Sequence, residues 1–107
     1  MSPLPPFAVI TGASRGIGAE YARALAAQRY DLLLVARDQT RLDQLAGDLQ
    51  DAYSVQVRTE TLDLSRPNAG STLYRLAHTF RPQVSLLVNN AGFGRYGLLV
   101  DMPLSTI

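Results

Sequence analysis

The apolar run Phe7-Ala8-Val9-Ile10 leads straight into Thr11-Gly12-Ala13-Ser14-Arg15-Gly16-Ile17-Gly18, and this junction limits the folds open to the chain. It reads as a buried strand, then a tight glycine turn, then the start of a helix. Glycines let the backbone turn sharply, approach a ligand without Cβ interference and bring a helix start close to a strand. The helix start aims unpaired N–H groups and a positive dipole end at an anion. The spacing Gly-x-x-x-Gly-x-Gly departs from the general Gly-x-Gly-x-x-Gly fingerprint, so a plain strand-to-helix turn competes. Three glycines at one junction, with an amphipathic helix behind them, favour a phosphate cradle, and a dinucleotide pyrophosphate is the natural guest.

The alternation continues along the chain. The first strand is expected over Phe7 to Thr11, and the first helix over Gly16 to about Arg29, with Ile17, Tyr21, Ala24, Leu25 and Ala27 as its apolar face. Asp31 to Ala36 is an almost wholly apolar run suited to a parallel strand covered on both sides. Asp38 is a candidate N-cap for a second helix with Leu42, Leu45, Ala46 and Leu49 inward. Over Ser54 to Leu62, Val and Thr alternate with Gln, Arg and Glu, which predicts an edge strand. Ser65 and Pro67 predict the start of a third helix carrying Leu73, Leu76, Ala77 and Phe80, which Arg81-Pro82 stops. Val84 to Val88 is the fourth strand.

A βαβαβαβ order implies an α/β fold, a Rossmann-like doubly wound parallel sheet with helices on both faces. If strands two and three step to one side of strand one, right-handed crossovers put the first two helices on one face; if strand four returns to the other side, the third helix covers the opposite face and the order is 3-2-1-4. Ligands in such sheets bind beyond the carboxyl ends of the strands where the order reverses. The glycine turn and Asn89-Asn90-Ala91-Gly92 would converge there.

Composition removes several function classes. The 107 residues suffice for one modest core. Ten basic and nine acidic side chains leave a net charge of +1, and the scattered arginines leave no footprint for nucleic acid. With no cysteine and one histidine, thiolate catalysis and histidine metal clusters are ruled out. Met-Ser-Pro-Leu-Pro-Pro lacks a basic leader, and no stretch nears the roughly 20 apolar residues of a membrane span. A soluble, cytoplasmic, membrane-free chain is the expectation.

Thr11-Gly-x-x-x-Gly-x-Gly18, Asp63-Leu64-Ser65 and Asn89-Asn-Ala-Gly92, each at the carboxyl end of a predicted strand, together resemble the N-terminal, cofactor-binding half of the classical short-chain dehydrogenase/reductase family. The resemblance covers nearly the whole chain. It implies that Gly12, Gly16, Ile17 and Gly18 surround the adenosine ribose and pyrophosphate of a nicotinamide dinucleotide, with Ser14 and Arg15 at its phosphates. Asp63 and Leu64 would line the adenine pocket. Asn90, Ala91 and Gly92 would pass the nicotinamide side, with Asn89 more concerned with tying the sheet together. Read singly, Asp63 could merely end a strand and Asn-Asn-Ala-Gly could be an ordinary turn.

Members of the family that bind NAD place an acid just after the second strand, where this chain has Ala36 followed by Arg37. A guanidinium binds a 2′-phosphate in bidentate fashion, and a carboxylate repels it. With Arg15 as a second cation, NADP(H) is favoured over NAD(H). Asp38 is the competing group, since its carboxylate would serve a ribose hydroxyl if Arg37 turned away.

The family's proton transfer uses a Ser and a Tyr-x-x-x-Lys pair, the cation stabilising a phenolate that is otherwise a poor acid-base group at neutral pH. This chain has no lysine, and Leu25, Leu34, Val57, His78 and Val100 follow its five tyrosines at that spacing. Tyr74 and His78 are helix-face neighbours, read as a surface contact. Phe93 to Leu99 resembles the family segment after Asn-Asn-Ala-Gly, and Pro103-Leu104-Ser105 the start of a further helix. The expectation is a single partial NADP-binding domain over 1–107, inactive alone, truncated as a fragment after a fourth strand whose apolar edge lies open. That edge would suit self-association or pairing with a full-length relative. A non-catalytic nucleotide-binding or subunit-interaction module is the alternative function.

Overall fold

The computed structural model describes residues 4–14, 16–81 and 83–89, and the backbone of 105–106. The sheet begins with β1 (Phe7–Thr11) and β2 (Asp31–Ala36), in which every residue is buried. These central strands are buried on both faces, so their sequences run apolar without alternation. β3 (Val57–Thr61) and β4 (Leu86–Asn89) flank them. All pairings are parallel, and the order β3-β2-β1-β4 is the expected one, with β3 and β2 on one side of β1 and β4 on the other.

A short fifth strand, β5 (Ser105–Thr106), pairs in parallel with β4, Leu86 opposite Ser105 and Leu87 opposite Thr106. The expected helix start at Pro103-Leu104-Ser105 is therefore corrected at Ser105, which is extended, and the β4 edge is partly covered. Backbone N–H and C=O groups on an apolar edge lack partners until another extended segment supplies them.

Helix α1 (Gly16–Ala27) and helix α2 (Gln39–Tyr53) follow β1 and β2. Gly18, Ala19, Ala22, Leu25 and Ala26 are the buried residues of α1. This corrects the expected face: Ile17 is 66% exposed and Tyr21 only half buried. Small inward residues let the helix axis approach the sheet, and that contact outweighs turning the bulkiest residues inward. At its end Arg29 adopts φ 69°, with Arg29 N–H bonded to the Ala26 carbonyl and Tyr30 N–H to the Leu25 carbonyl, a Schellman closure. Helix α2 buries Leu42, Leu45, Ala46 and Leu49, as its periodicity predicts. With Ala8, Ile10, Leu32, Leu34 and Val88 these two helices form one core layer.

Helix α3 (Ala69–Phe80) covers the other face, where Leu73 and Ala77 meet Phe7, Val9, Leu33, Val35 and Leu87. It starts later than Ser65 because Asp63 captures Ser65 in a local turn and Asn68 enters the left-handed region, φ 68°, just before the first helical residue. At its end Arg81 is extended, the conformation imposed on a residue before proline. The amino end of the sheet holds a buried ion pair that the sequence pattern concealed. Asp31 (3% exposed) and Arg81 (8% exposed) meet there. The other Asp31 oxygen accepts from the Gln56 N–H at 2.9 Å.

Candidate cofactor site

The carboxyl ends of β1, β2, β3 and β4 are cross-linked into one rim. Ala13 N–H in the glycine turn donates to the Val35 carbonyl at 3.2 Å, so the turn lies against the end of β2. Leu62 N–H donates to the Ala36 carbonyl at 3.0 Å, which brings the segment after β3 to the same place. The Thr11 hydroxyl lies 3.4 Å from the Val88 carbonyl and 3.3 Å from Asn89 Oδ1, joining β1 to β4. Thus Asn89 does tie the sheet together at the switch point. Three separate sequence motifs have become one surface.

Within the turn, Gly12 and Gly16 take φ 63° and 62°, the left-handed region that side chains disfavour. A Cβ added at Gly16 would meet no atom within 4 Å. The backbone there borders open space, as a cradle for a ligand must, and the need for glycine is conformational. Gly18, by contrast, is buried where α1 meets the sheet. Ile17 is one of two large hydrophobic residues exposed among the described residues, the other being Leu4. Ile17 thus stands on the surface at the first turn of α1, beside this opening. These features fit a dinucleotide. Ser14 is half buried beside them; Arg15 lies outside the described residues, as do Asn90, Ala91 and Gly92.

Arg37 is exposed just past β2. Asp63 Oδ1 accepts from the Ser65 N–H at 3.0 Å and from the Ser65 hydroxyl at 2.6 Å, while Oδ2 is 3.8 Å from Arg66 Nε. The two Ser65 bonds, with smaller help from the charges of Arg37 and Arg66, lower the Asp63 pKa below its ordinary 3.8. The ionised form of Asp63 is thus favoured at the rim. Leu64 turns inward, 7% exposed, into the layer under α3.

Asp38 is the N-cap of α2: one oxygen accepts from the Arg41 N–H at 3.1 Å, and the other is 3.2 Å from Arg41 Nε. Arg41 escaped the sequence reading, although an arginine three residues after a capping aspartate is a visible signal. Tyr74 and His78 stack at 4.3 Å on α3, with His78 Nδ1 2.9 Å from the Tyr74 carbonyl, and neither joins the rim motifs through the hydrogen bonds described. No group of three or more metal-ligating side chains occurs among the described residues, and no helix among them is long and apolar enough to cross a membrane.

Comparison with known proteins agrees with this geometry. The chain is 42% identical over 94 residues to a very-long-chain 3-oxoacyl-CoA reductase of Phaeosphaeria nodorum, a match covering 84% of the chain and 27% of the reductase. An alcohol dehydrogenase from Thermococcus sibiricus, complexed with 5-hydroxy-NADP, superposes with a TM-score of 0.79 at 40% identity, over 85% of this chain and 39% of that one. A short-chain dehydrogenase from Sphingobium yanoikuyae in complex with NADPH gives 0.73 at 45% identity, over 84% and 35%. The chain spans well under half the length of the relatives it matches. The model of the short chain dehydrogenase family matches residues 6–107, and the chain belongs to that family.

Proposed function

We propose that this chain is the NADP(H)-binding part of a short-chain oxidoreductase whose complete form transfers hydride between the nicotinamide and a carbonyl or alcohol carbon. The observation that carries the cofactor choice is the end of β2, where the Val35 carbonyl accepts from the Ala13 N–H of the glycine turn and Ala36 is followed by an exposed Arg37. A planar guanidinium there suits a 2′-phosphate. Relatives named for an oxoacyl-CoA and for an alcohol match the same stretch, which supports reading it as the shared cofactor end.

Gly12, Ser14, Arg15, Gly16, Ile17 and Gly18 would hold the adenosine ribose and pyrophosphate, the N–H groups of the first turn of α1 facing the phosphates. Asp63 would meet the adenine amine, and Asn89 to Gly92 would carry the backbone past the nicotinamide side. The dinucleotide, once bound, supplies or accepts the hydride. This chain's residues orient it and bind its charge. The proton donor of that transfer is not assigned to these residues, since no tyrosine here is followed by a lysine four positions on.

Arg37→Asp tests the proposal. Titration with NADPH and NADH should show a loss of NADPH affinity far larger than any loss for NADH, and equal losses would refute it.

A further inference from the structure

The acid that competes with Arg37 for the cofactor is already occupied. Asp38 follows Arg37 directly and, as a free carboxylate, would repel a 2′-phosphate and offer an acceptor to a 2′-hydroxyl. In the fold each of its oxygens already has a partner on α2. One oxygen caps α2 through the Arg41 N–H and the other pairs with Arg41 Nε, so a single residue engages both oxygens. Arg41 also lines a hollow of about 160 Å³ together with Ser14, with Ala19 and Arg23 of α1, and with Gln44, Leu45 and Asp48 of α2. Ser14 belongs to the glycine turn. Arg41 thus pairs with the competing acid and borders the same hollow as a residue of the phosphate turn.

We infer that Arg41 is a specificity-determining residue that acts through Asp38, holding its carboxylate on α2 so that the end of β2 presents a net positive face to the ribose 2′-position. Arg41 is a positioning residue, and its effect passes through the acid. The inference deepens the NADP(H) reading and rests on it. Both side chains are partly exposed, 54% for Arg41 and 38% for Asp38, so the effect is modest and screened by salt.

The test uses the whole chain, titrated with NADPH and with NADH at low and at high salt. Arg41→Ala frees the carboxylate and should lower the NADPH-to-NADH affinity ratio by about fivefold at low salt, the upper end of what such a pair supplies. Asp38→Asn keeps an oxygen for the cap, removes the charge and should leave the ratio at or above its starting value. The double variant Asp38→Asn/Arg41→Ala is decisive. Recovery of the starting ratio shows that Arg41 works through Asp38. An Arg41→Ala ratio that does not move, or a double variant as impaired as Arg41→Ala, overturns the inference, the latter by showing that Arg41 meets the ligand itself. Helix content by circular dichroism separates these outcomes from loss of α2. The cofactor reading has its own readout: a starting ratio near one, with Arg37→Asp equal for both dinucleotides, overturns that reading, while the change on Arg41→Ala still reports the pair.

Discussion

Replacing Arg81 with methionine removes one charge from the amino end of the sheet and leaves its partner behind. Asp31 is 3% exposed, and Arg81 places its guanidinium on it while stacking 4.9 Å above the Phe80 ring. Phe80 itself meets Phe7 of β1 edge-on at 5.0 Å, so the pair is built into the core layer under α3. Methionine restores much of the apolar volume, and the lost cation–π contact is worth about 0.5–2 kcal/mol. The dominant effect is an uncompensated buried carboxylate, which costs about 3–5 kcal/mol when one partner of a buried pair is deleted. Against a domain stability of roughly 5–15 kcal/mol, that loss brings the chain near unfolding. With a urea slope of about 2 kcal/mol/M, the midpoint should fall by about 2 M in equilibrium unfolding followed by circular dichroism. Asp31→Asn/Arg81→Met removes both charges and keeps an oxygen for the Gln56 N–H, so it should regain more than half of the loss. A single variant that loses less than about 1 kcal/mol, or a double variant no better than the single, would show that the pair is not what holds this end together.

Three further outcomes follow from the site. Gly16→Ala should cost about 1–2 kcal/mol in urea unfolding through its left-handed φ of 62° and not through a clash, and Gly16→Asn should recover part of it; a neutral alanine would contradict the conformational account. Ile17→Ser should change stability by less than about 0.5 kcal/mol while weakening dinucleotide binding, and a large loss of stability would return Ile17 to the core. Ser65→Ala removes the largest cause of the lowered Asp63 pKa, so the carboxyl titration followed by NMR should move up toward 3.8. Because the folded pKa is depressed, whatever stability Asp63 contributes is whole above the ordinary carboxylate range and disappears as pH falls through the lowered value; Ser65→Ala should therefore narrow the difference between neutral and acid stability, and an unmoved titration would rule out the Ser65 hydroxyl bond as a cause.

Much of the architecture was legible because it is written in local patterns. The apolar runs Phe7 to Thr11 and Asp31 to Ala36 have the bounds of strands, and Leu42, Leu45, Ala46 and Leu49 are the buried face of α2. Asp38 announced its cap by residue type alone. On α1 the same reasoning turned the helix the wrong way, because Ile17 and Tyr21 are larger than the alanines that actually pack. Hydrophobicity ranks residues by size, whereas a helix lying close on a sheet selects small ones. Ile17 was named both as a core residue and as a cofactor residue, and its exposure decides between core and surface.

By itself the sequence determined the order of elements, the parallel sheet with its reversal between β1 and β4, and the meeting of the β1, β2, β3 and β4 ends on one rim. The elements follow from periodicity and turn chemistry, which act over a few residues, and crossover handedness, which binds every chain alike, sets the helix faces once the strand order is chosen. Tertiary structure alone decided the pairing of Asp31 with Arg81, the addition of β5 to β4, and the inward turn of Leu64. Such contacts join residues far apart in the chain or depend on which side of a turn faces the core, and no local pattern encodes them. Asp38 and Arg41 fall between the two: their spacing is written in the chain, but only the fold shows that both carboxylate oxygens are taken.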